Sequence, residues 1–117
     1  MTGYAQSQLS DRLLNFSIIV FRLLKSLPYK KEYEVIRYQL SKSATSIGAN
    51  YEESQATTYK EFPVKIRISL REALETRYWL RIIKRLALTS EENIDPIIVE
   101  CTEIVKILKT ILNKVNK

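Results

Sequence analysis

The chain of 117 residues contains no histidine. Histidine is the commonest general base, the commonest metal ligand and the usual partner of a catalytic serine or cysteine. The sequence also lacks a glycine-rich phosphate loop and closely spaced cysteine pairs that would bind a metal. We therefore expect a protein that is not an enzyme, with no catalytic residue, no metal and no cofactor.

Cysteine is almost as scarce, because Cys101 is the single thiol of the chain. One thiol excludes a disulfide within the chain and fits a reducing cytoplasm. No apolar run approaches the length of a membrane span, and the polar segment Met1–Gln8 lacks the pattern of a signal peptide. We expect a cytoplasmic protein that makes no contact with a membrane.

Glycine and proline are also rare, with 2 and 3 copies, and 45% of the residues are hydrophobic. This composition excludes a disordered or low-complexity chain. The length suits one domain that buries roughly two thirds of its unfolded surface. We predict a single domain over residues 1–117, with flexible ends at about 1–9 and 115–117.

Apolar residues recur at helical spacing in four segments that short breaks separate. Strand-like alternation is not found anywhere in the sequence. The pattern predicts an all-α protein, an up-down-up-down four-helix bundle. The first three predicted helices run from an N-cap at Ser10 to a stop at Leu27 and Pro28, from about Lys31 to Gln55, and from about Tyr59 to Ala87 with Pro63 in the first turn. The fourth starts between Ser90 and Asp95, since either residue can cap it and Pro96 suits a first helical position.

The segment Ser41–Glu53 consists almost entirely of small or polar residues, although it lies inside the second predicted helix. A narrow stripe of this kind lets a neighbouring helix approach closely, and its hydroxyl and amide groups can hydrogen-bond across the contact. Gly48 costs roughly 1 kcal/mol of helix propensity, so a close neighbour would explain its presence. The alternative is a helix end, with Gly48 as the cap and Asn50 at the start of a new element.

The third predicted helix carries two apolar stripes that point in nearly opposite directions. One stripe suffices for the core of a monomeric bundle, so the second predicts contact with another protomer. The first stripe contains Phe62, Ile66, Leu70, Ala73 and Leu80. The predicted oligomer interface on the second stripe contains Ile68, Trp79, Ile82 and Ile83, with Leu86 beyond them.

A basic ridge runs between these stripes, and it consists of Arg67, Arg71, Tyr78, Arg81 and Arg85. Arginines interleaved with a tyrosine suit phosphate contact combined with base stacking, so the ridge is the candidate nucleic-acid-binding site. The net charge of +6 permits such binding. The alternative is a solvated basic face whose arginines pair with acids on adjacent helices.

Two motifs, Ser43–Glu53 and Glu72–Leu80, together with Phe62 between them, resemble the signature of a known family. This family comprises the four-helix-bundle proteins that are encoded in intervening sequences of bacterial 23S rRNA genes. The accessory variability protein of diversity-generating retroelements is similar. The resemblance extends over roughly Phe16 to Leu112, and its motifs are specific for the fold rather than for a biochemical activity.

The resemblance implies a bundle that assembles into a ring, typically a homopentamer, with a basic surface able to bind nucleic acid. In the retroelement branch it also implies binding to a reverse transcriptase. Residue by residue, it implies that polar groups join the second helix to the third rather than take part in catalysis. These matched positions are Ser46, Asn50, Glu53, Glu75 and Thr76, followed by Tyr78 and Trp79.

Two classes of function follow. The first is a non-enzymatic, ring-forming protein that binds RNA or DNA through the basic ridge. The alternative is a protein-interaction scaffold or accessory subunit, for a partner such as a reverse transcriptase, without direct nucleic-acid binding. A continuous basic surface favours the first class, and scattered ion pairs favour the second.

Overall fold

A computed structural model describes the backbone of residues 3–115 and the side chains of residues 8–115. Within this range the chain forms helices and no strand, which confirms the predicted all-α class. A single 3-10 turn at Lys31–Tyr33 precedes the second helix. The helices are α1 at Gly3–Ser26, α2 at Glu34–Ser54, α3 at Phe62–Arg85 and α4 at Glu91–Val115.

The helices pack as an up-down-up-down bundle, as predicted. Each helix contacts the one that follows it in sequence, and α4 closes the arrangement with a looser contact to α1. The connections are short, so consecutive helices are antiparallel neighbours. The core of the bundle is apolar, with Phe16, Leu40, Ile66 and Ile104 at 0–1% exposure.

Helix boundaries agree with the sequence prediction at some ends and differ at others. α1 stops before Pro28, as predicted, because proline disfavours a helical conformation in the residue before it. The prediction of Ser10 as an N-cap is wrong, since α1 already begins at Gly3 and Ser10 lies inside it. The predicted flexibility of the chain ends stays a prediction, and it falls in part on residues 1, 2, 116 and 117, outside the described residues.

The start of α4 distinguishes between the two predicted caps. Ser90 caps the helix, because the backbone N–H of Asn93 donates to the Ser90 hydroxyl oxygen at 3.3 Å. A start at Asp95 is wrong, and Pro96 lies inside the helix rather than at its first position. Pro96 is exposed and lies in the second turn of α4, where it removes one backbone hydrogen bond of the helix.

The small-residue segment is continuous helix to Ser54, so the alternative of a helix end at Gly48 is wrong. A Cβ atom on Gly48 would lie 3.4 Å from the Leu13 Cβ, which shows how closely α1 approaches at this point. One turn away, the buried Ser17 hydroxyl donates to the Ala44 carbonyl oxygen of α2 at 3.3 Å. At this point α1 and α2 therefore pack at ordinary contact distance, with room for a methyl group at Gly48.

An adjacent face of α2 forms a polar contact with α3 inside the core. The Ser69 hydroxyl donates to the Ile47 carbonyl oxygen at 2.7 Å. The hydroxyl oxygens of Thr76 and Ser43 lie 2.8 Å apart, and all three hydroxyl residues are fully buried. These hydroxyl groups hydrogen-bond to one another or to the backbone, so their burial in an apolar core costs little free energy.

Candidate nucleic-acid interface

The basic ridge lies on the outer surface of α3. Its residues follow one another at steps of four, seven, three and four positions, which places them along one face of a helix. The face lies opposite the buried residues Ser69, Thr76 and Leu80, so it points away from the core. The five ridge residues, each at least partly exposed, are Arg67, Arg71, Tyr78, Arg81 and Arg85.

The ridge arginines are free of ion pairs within the described part of the chain. None of the four forms a salt bridge or a side-chain hydrogen bond with a residue between 8 and 115. Pairing of these arginines with acids on adjacent helices is therefore not seen in the described residues, while a solvated basic face stays an alternative. The salt bridges of the described residues lie elsewhere and join Arg12 to Glu100, Lys65 to Glu53, Lys84 to Asp95 and Lys106 to Glu103.

An aromatic side chain lies among these cations. Tyr78 is 58% exposed, and its ring packs edge-on against the half-buried Trp79 with the ring centroids 6.0 Å apart. This contact leaves much of the Tyr78 ring accessible. A shallow cavity of 310 Å³ adjoins the ring and is lined by Tyr78, Arg81, Ile82, Arg85 and Leu86.

The length of the ridge fits several nucleotides. Arg67 and Arg85 are separated by 18 residues, which corresponds to about 27 Å along a helix axis. At about 3.4 Å per nucleotide of a B-form strand, this length spans about eight nucleotides. Guanidinium groups bind phosphate oxygens in pairs, and an exposed phenol ring can stack on a base. These groups are of the types that contact phosphates and bases without reading a sequence.

The predicted oligomer interface is only partly available on the surface. Ile83 has no exposed area and belongs to the core of the single chain, so its assignment to an intersubunit contact is wrong. Trp79 and Ile82 are half-buried and pack against the core, and Ile68 is also half-buried. The physical reason is that α3 contacts both α2 and α4, so both of its apolar stripes find partners within the bundle.

The polar motif divides into two groups. Thr76 contacts α2 through Ser43, and Glu53 forms a salt bridge with Lys65 of α3 at 3.0 Å. These two residues join the second and third helices, as the family resemblance implies. The other three do not: the Asn50 amide donates to the Ser46 carbonyl oxygen within α2, and Glu75 is exposed without a salt bridge in the described range.

Sequence reasoning missed Ser69, although a signal for it was present. Ser69 occupies the core-facing line of α3 between Ile66 and Ala73, at steps of three and four residues. A lone serine on such a line must find a partner in the core, and here it is the backbone of Ile47.

Three further observations on the described residues concern thiol reactivity, metal binding and membrane spans. Burial raises the pKa of the Cys101 thiol to about 12, and the thiol contacts the Ala73 carbonyl oxygen at 3.3 Å. Over the described residues, no group of three or more cysteine and acidic side chains could hold a metal ion. None of the helices in that range is both long enough and apolar enough to cross a membrane.

Comparison with known proteins identifies the family. Residues 6–110 match the family of 23S rRNA-intervening sequence proteins, and the chain belongs to that family. A solved structure, a protein of unknown function from the S23 ribosomal protein family of Bacteroides thetaiotaomicron, has the same fold with a TM-score of 0.81. It is 35% identical in sequence, and the match covers 88% of this chain and 96% of that one. No curated protein matches the chain.

Proposed function

We propose that this protein has a binding rather than a catalytic role, and that it associates with RNA or DNA through the basic ridge on α3. One observation carries the proposal: four surface arginines without ion pairs in the described range follow one line, with the exposed ring of Tyr78 among them. Arginine that is already paired would have to exchange one partner for another, whereas these side chains are free to bind phosphate.

The expected binding is electrostatic. Phosphate contacts release condensed counterions, so the affinity falls steeply with salt and depends little on sequence. Stacking on Tyr78 adds a contribution that every base can supply, since every base has a π-face. The overall charge of +6 attracts a polyanion from a distance and raises the association rate.

The proposal includes assembly into a ring, most simply a homopentamer. Its support is the exposed apolar surface, such as the 52% exposed Leu86 beside the half-buried Ile82 on α3. A ring presents several copies of the ridge, so a modest affinity for each becomes measurable avidity. Light scattering at micromolar concentration should give a mass well above 13.7 kDa, and a monomeric mass would contradict the ring.

A charge-matched pair of triple variants tests the site. Reversing Arg67, Arg71 and Arg81 to Glu should abolish retention of mixed-sequence RNA and DNA in filter binding. The control reverses Lys30, Lys60 and Lys109 to Glu, because these exposed lysines lie off the ridge and have no salt bridge in the described range. Each reversal removes two units of charge, so both variants go from +6 to zero.

The ridge is the binding site if only the arginine variant loses retention while both variants keep the fold and assembly of the parent. Equal loss in the two variants would show that net charge alone governs the binding. A parent protein that retains no nucleic acid would leave the alternative, a scaffold or accessory subunit for a partner such as a reverse transcriptase.

A further inference from the structure

The cavity beside Tyr78 is bounded by two parallel lines of side chains on α3. One line consists of Tyr78, Ile82 and Leu86, at steps of four residues, and its side chains are aromatic or aliphatic. The other line consists of the exposed Arg81 and Arg85, which are also four residues apart. Successive members of each line lie about 6 Å apart along the helix axis. The cavity therefore has an apolar side and a cationic side that follow the same helix.

The apolar side of the cavity is accessible to a ligand. Tyr78 is 58% exposed and Leu86 is 52% exposed, while Ile82 between them is half-buried. The volume of 310 Å³ lies at the small end of the range for ligand pockets, about 300–1,000 Å³. The described side chains that line the cavity include no carboxylate. A flat, uncharged group that is attached to an anion matches this combination of surfaces.

We propose that the cavity holds an unpaired nucleobase whose flanking phosphates bind Arg81 and Arg85. This assignment rests on the proposed function, since it names the form of nucleic acid that the basic ridge binds. In a single strand the bases are free to turn away from the phosphates and to stack on an aromatic side chain. In a duplex the bases are paired and stacked inside the helix, so they cannot enter the cavity unless the duplex opens. The site therefore favours single strands over duplexes.

Electrostatic attraction alone predicts the opposite preference. Duplex DNA carries one charge for about every 1.7 Å of its axis, which is twice the charge density of one of its strands. Arginines that contact only phosphates should therefore bind the duplex at least as tightly as the single strand. A preference for the single strand requires a contribution from the bases. Stacking of one base on an aromatic side chain corresponds to a gain in affinity of roughly fivefold or more.

A bound base and a subunit contact would compete for Leu86. Other exposed apolar side chains remain for the proposed ring, such as Phe21 on α1 and Val99 on α4, at 52% and 60% exposure. A subunit contact that covered Leu86 would close the cavity to a base. The experiments below would then show no contribution from Tyr78 to the affinity.

A comparison of two ligands with the parent protein tests the preference. The first ligand is a labelled single strand of mixed sequence and of about 12 nucleotides, which is longer than the ridge. The second is the blunt duplex of that strand with its complement. Fluorescence anisotropy at one low salt concentration gives the Kd of each. The single strand should bind roughly fivefold more tightly than the duplex, or better.

A thermodynamic cycle isolates the contribution of the base at Tyr78. An oligothymidylate is compared with a strand of equal length that keeps the sugars and phosphates but has no bases. In the parent, removal of the bases should weaken binding roughly fivefold or more, whereas in Tyr78→Leu it should change the affinity little. Tyr78→Phe keeps the ring and should behave as the parent. The matched control is Tyr38→Leu on α2, because Tyr38 is 62% exposed and Lys42 lies 5.9 Å from its ring centroid.

Trp79 provides a second readout of an occupied cavity. It is the one tryptophan of the chain, and its ring centroid lies 6.0 Å from that of Tyr78. A base that stacks on Tyr78 should change the fluorescence of Trp79, and the change should saturate with the Kd of binding. The strand without bases should leave this fluorescence nearly unchanged.

Three results would overturn this assignment and leave binding through the ridge intact. The first is a duplex that binds as tightly as the single strand, or more tightly. The second is a loss on base removal that is equal in the parent and in Tyr78→Leu, and the third is Trp79 fluorescence that does not respond to bases. Circular dichroism verifies the fold of each variant, and the first comparison needs only the parent. A parent protein that binds neither ligand would contradict the proposed function itself, and this assignment with it.

Discussion

The buried contact between Ser69 and the Ile47 carbonyl oxygen makes a prediction about stability. Ser69→Ala removes the hydroxyl donor, while helix geometry leaves the carbonyl its own bond within α2. The loss is then that of one hydrogen bond, about 1 kcal/mol. Ser69→Val also inserts two methyl groups where the α2 backbone lies at hydrogen-bond distance. Overpacking adds about 1–3 kcal/mol, for a total of about 2–4 kcal/mol.

Thermal unfolding followed by circular dichroism measures the difference. For a domain of this length, 1 kcal/mol changes Tm by about 4 °C, so Ser69→Ala should lower Tm by about 4 °C and Ser69→Val by about 8–16 °C. All samples need the same protein concentration, because self-association makes Tm concentration-dependent. The matched control is Ser41, whose half-buried hydroxyl donates to the Tyr38 carbonyl oxygen within its own helix.

Changes at Ser41 to Ala and Val should each shift Tm by no more than about 2 °C, since the hydroxyl bonds within α2 rather than to a second helix. If Ser69→Val and Ser69→Ala have the same Tm, there is room for the larger side chain between α2 and α3, and the inferred close approach of these helices is wrong. If neither change lowers Tm, the hydrogen bond itself contributes nothing.

Three further predictions follow from the described contacts. Burial, and then the carboxylate of Glu75, raises the pKa of Glu72, so ionised Glu72 destabilises the folded protein at a pH above the ordinary carboxyl range. Glu72→Gln should therefore raise Tm at pH 7. The gain should disappear near pH 3, where Glu72 is protonated in both the folded and the unfolded protein. Gly48→Ala places a methyl group at ordinary contact distance and should stabilise α2 by up to about 1 kcal/mol, whereas Gly48→Leu should cost about 1–3 kcal/mol, both by denaturant titration. Cys101 should resist alkylation at pH 8 in the native protein and react once guanidinium unfolds it, and rapid labelling of the native thiol would contradict its burial.

The fold was predictable because amphipathic periodicity and proline position act locally. Four apolar segments and the stop at Pro28 were sufficient to define the helices. The start of α1 was not, since the segment before Ser10 is largely polar, and its apolar residues Met1, Tyr4, Ala5 and Leu9 do not by themselves define a helix start. Helix starts in general depend on capping contacts that several nearby residues can make.

The candidate site was predictable only in part. The exposure of the basic ridge follows from its position opposite the core line of α3. Whether its arginines are paired depends on which side chains neighbouring helices present, and the sequence of one helix does not contain that information. The error at Ile83 has a similar origin, because the apolar stripe that is not needed for contact with one helix is covered by a second neighbouring helix.

Asn50 and Ala49 also show that contacts between helices were predictable only in part. The small-residue segment predicted that a close neighbour explains the glycine at position 48; α1 does pack there, but a methyl group at Gly48 would meet it at ordinary contact distance. Ala49, one residue further, lines the groove beside α1, so a larger side chain there has open space in the single chain. Asn50 bonds within its own helix, so Asn50→Ala leaves no group of α3 without a partner.

The most direct test of the proposed function is the salt dependence of nucleic-acid binding by the parent protein. Filter binding with mixed-sequence single-stranded RNA and DNA, from low to physiological salt, gives the slope of log affinity against log salt concentration. Four arginine–phosphate contacts on one ridge predict a slope of about −3, at about −0.7 for each contact, with little difference between sequences. No retention at low salt, or an affinity that does not change with salt, would contradict nucleic-acid binding through the ridge.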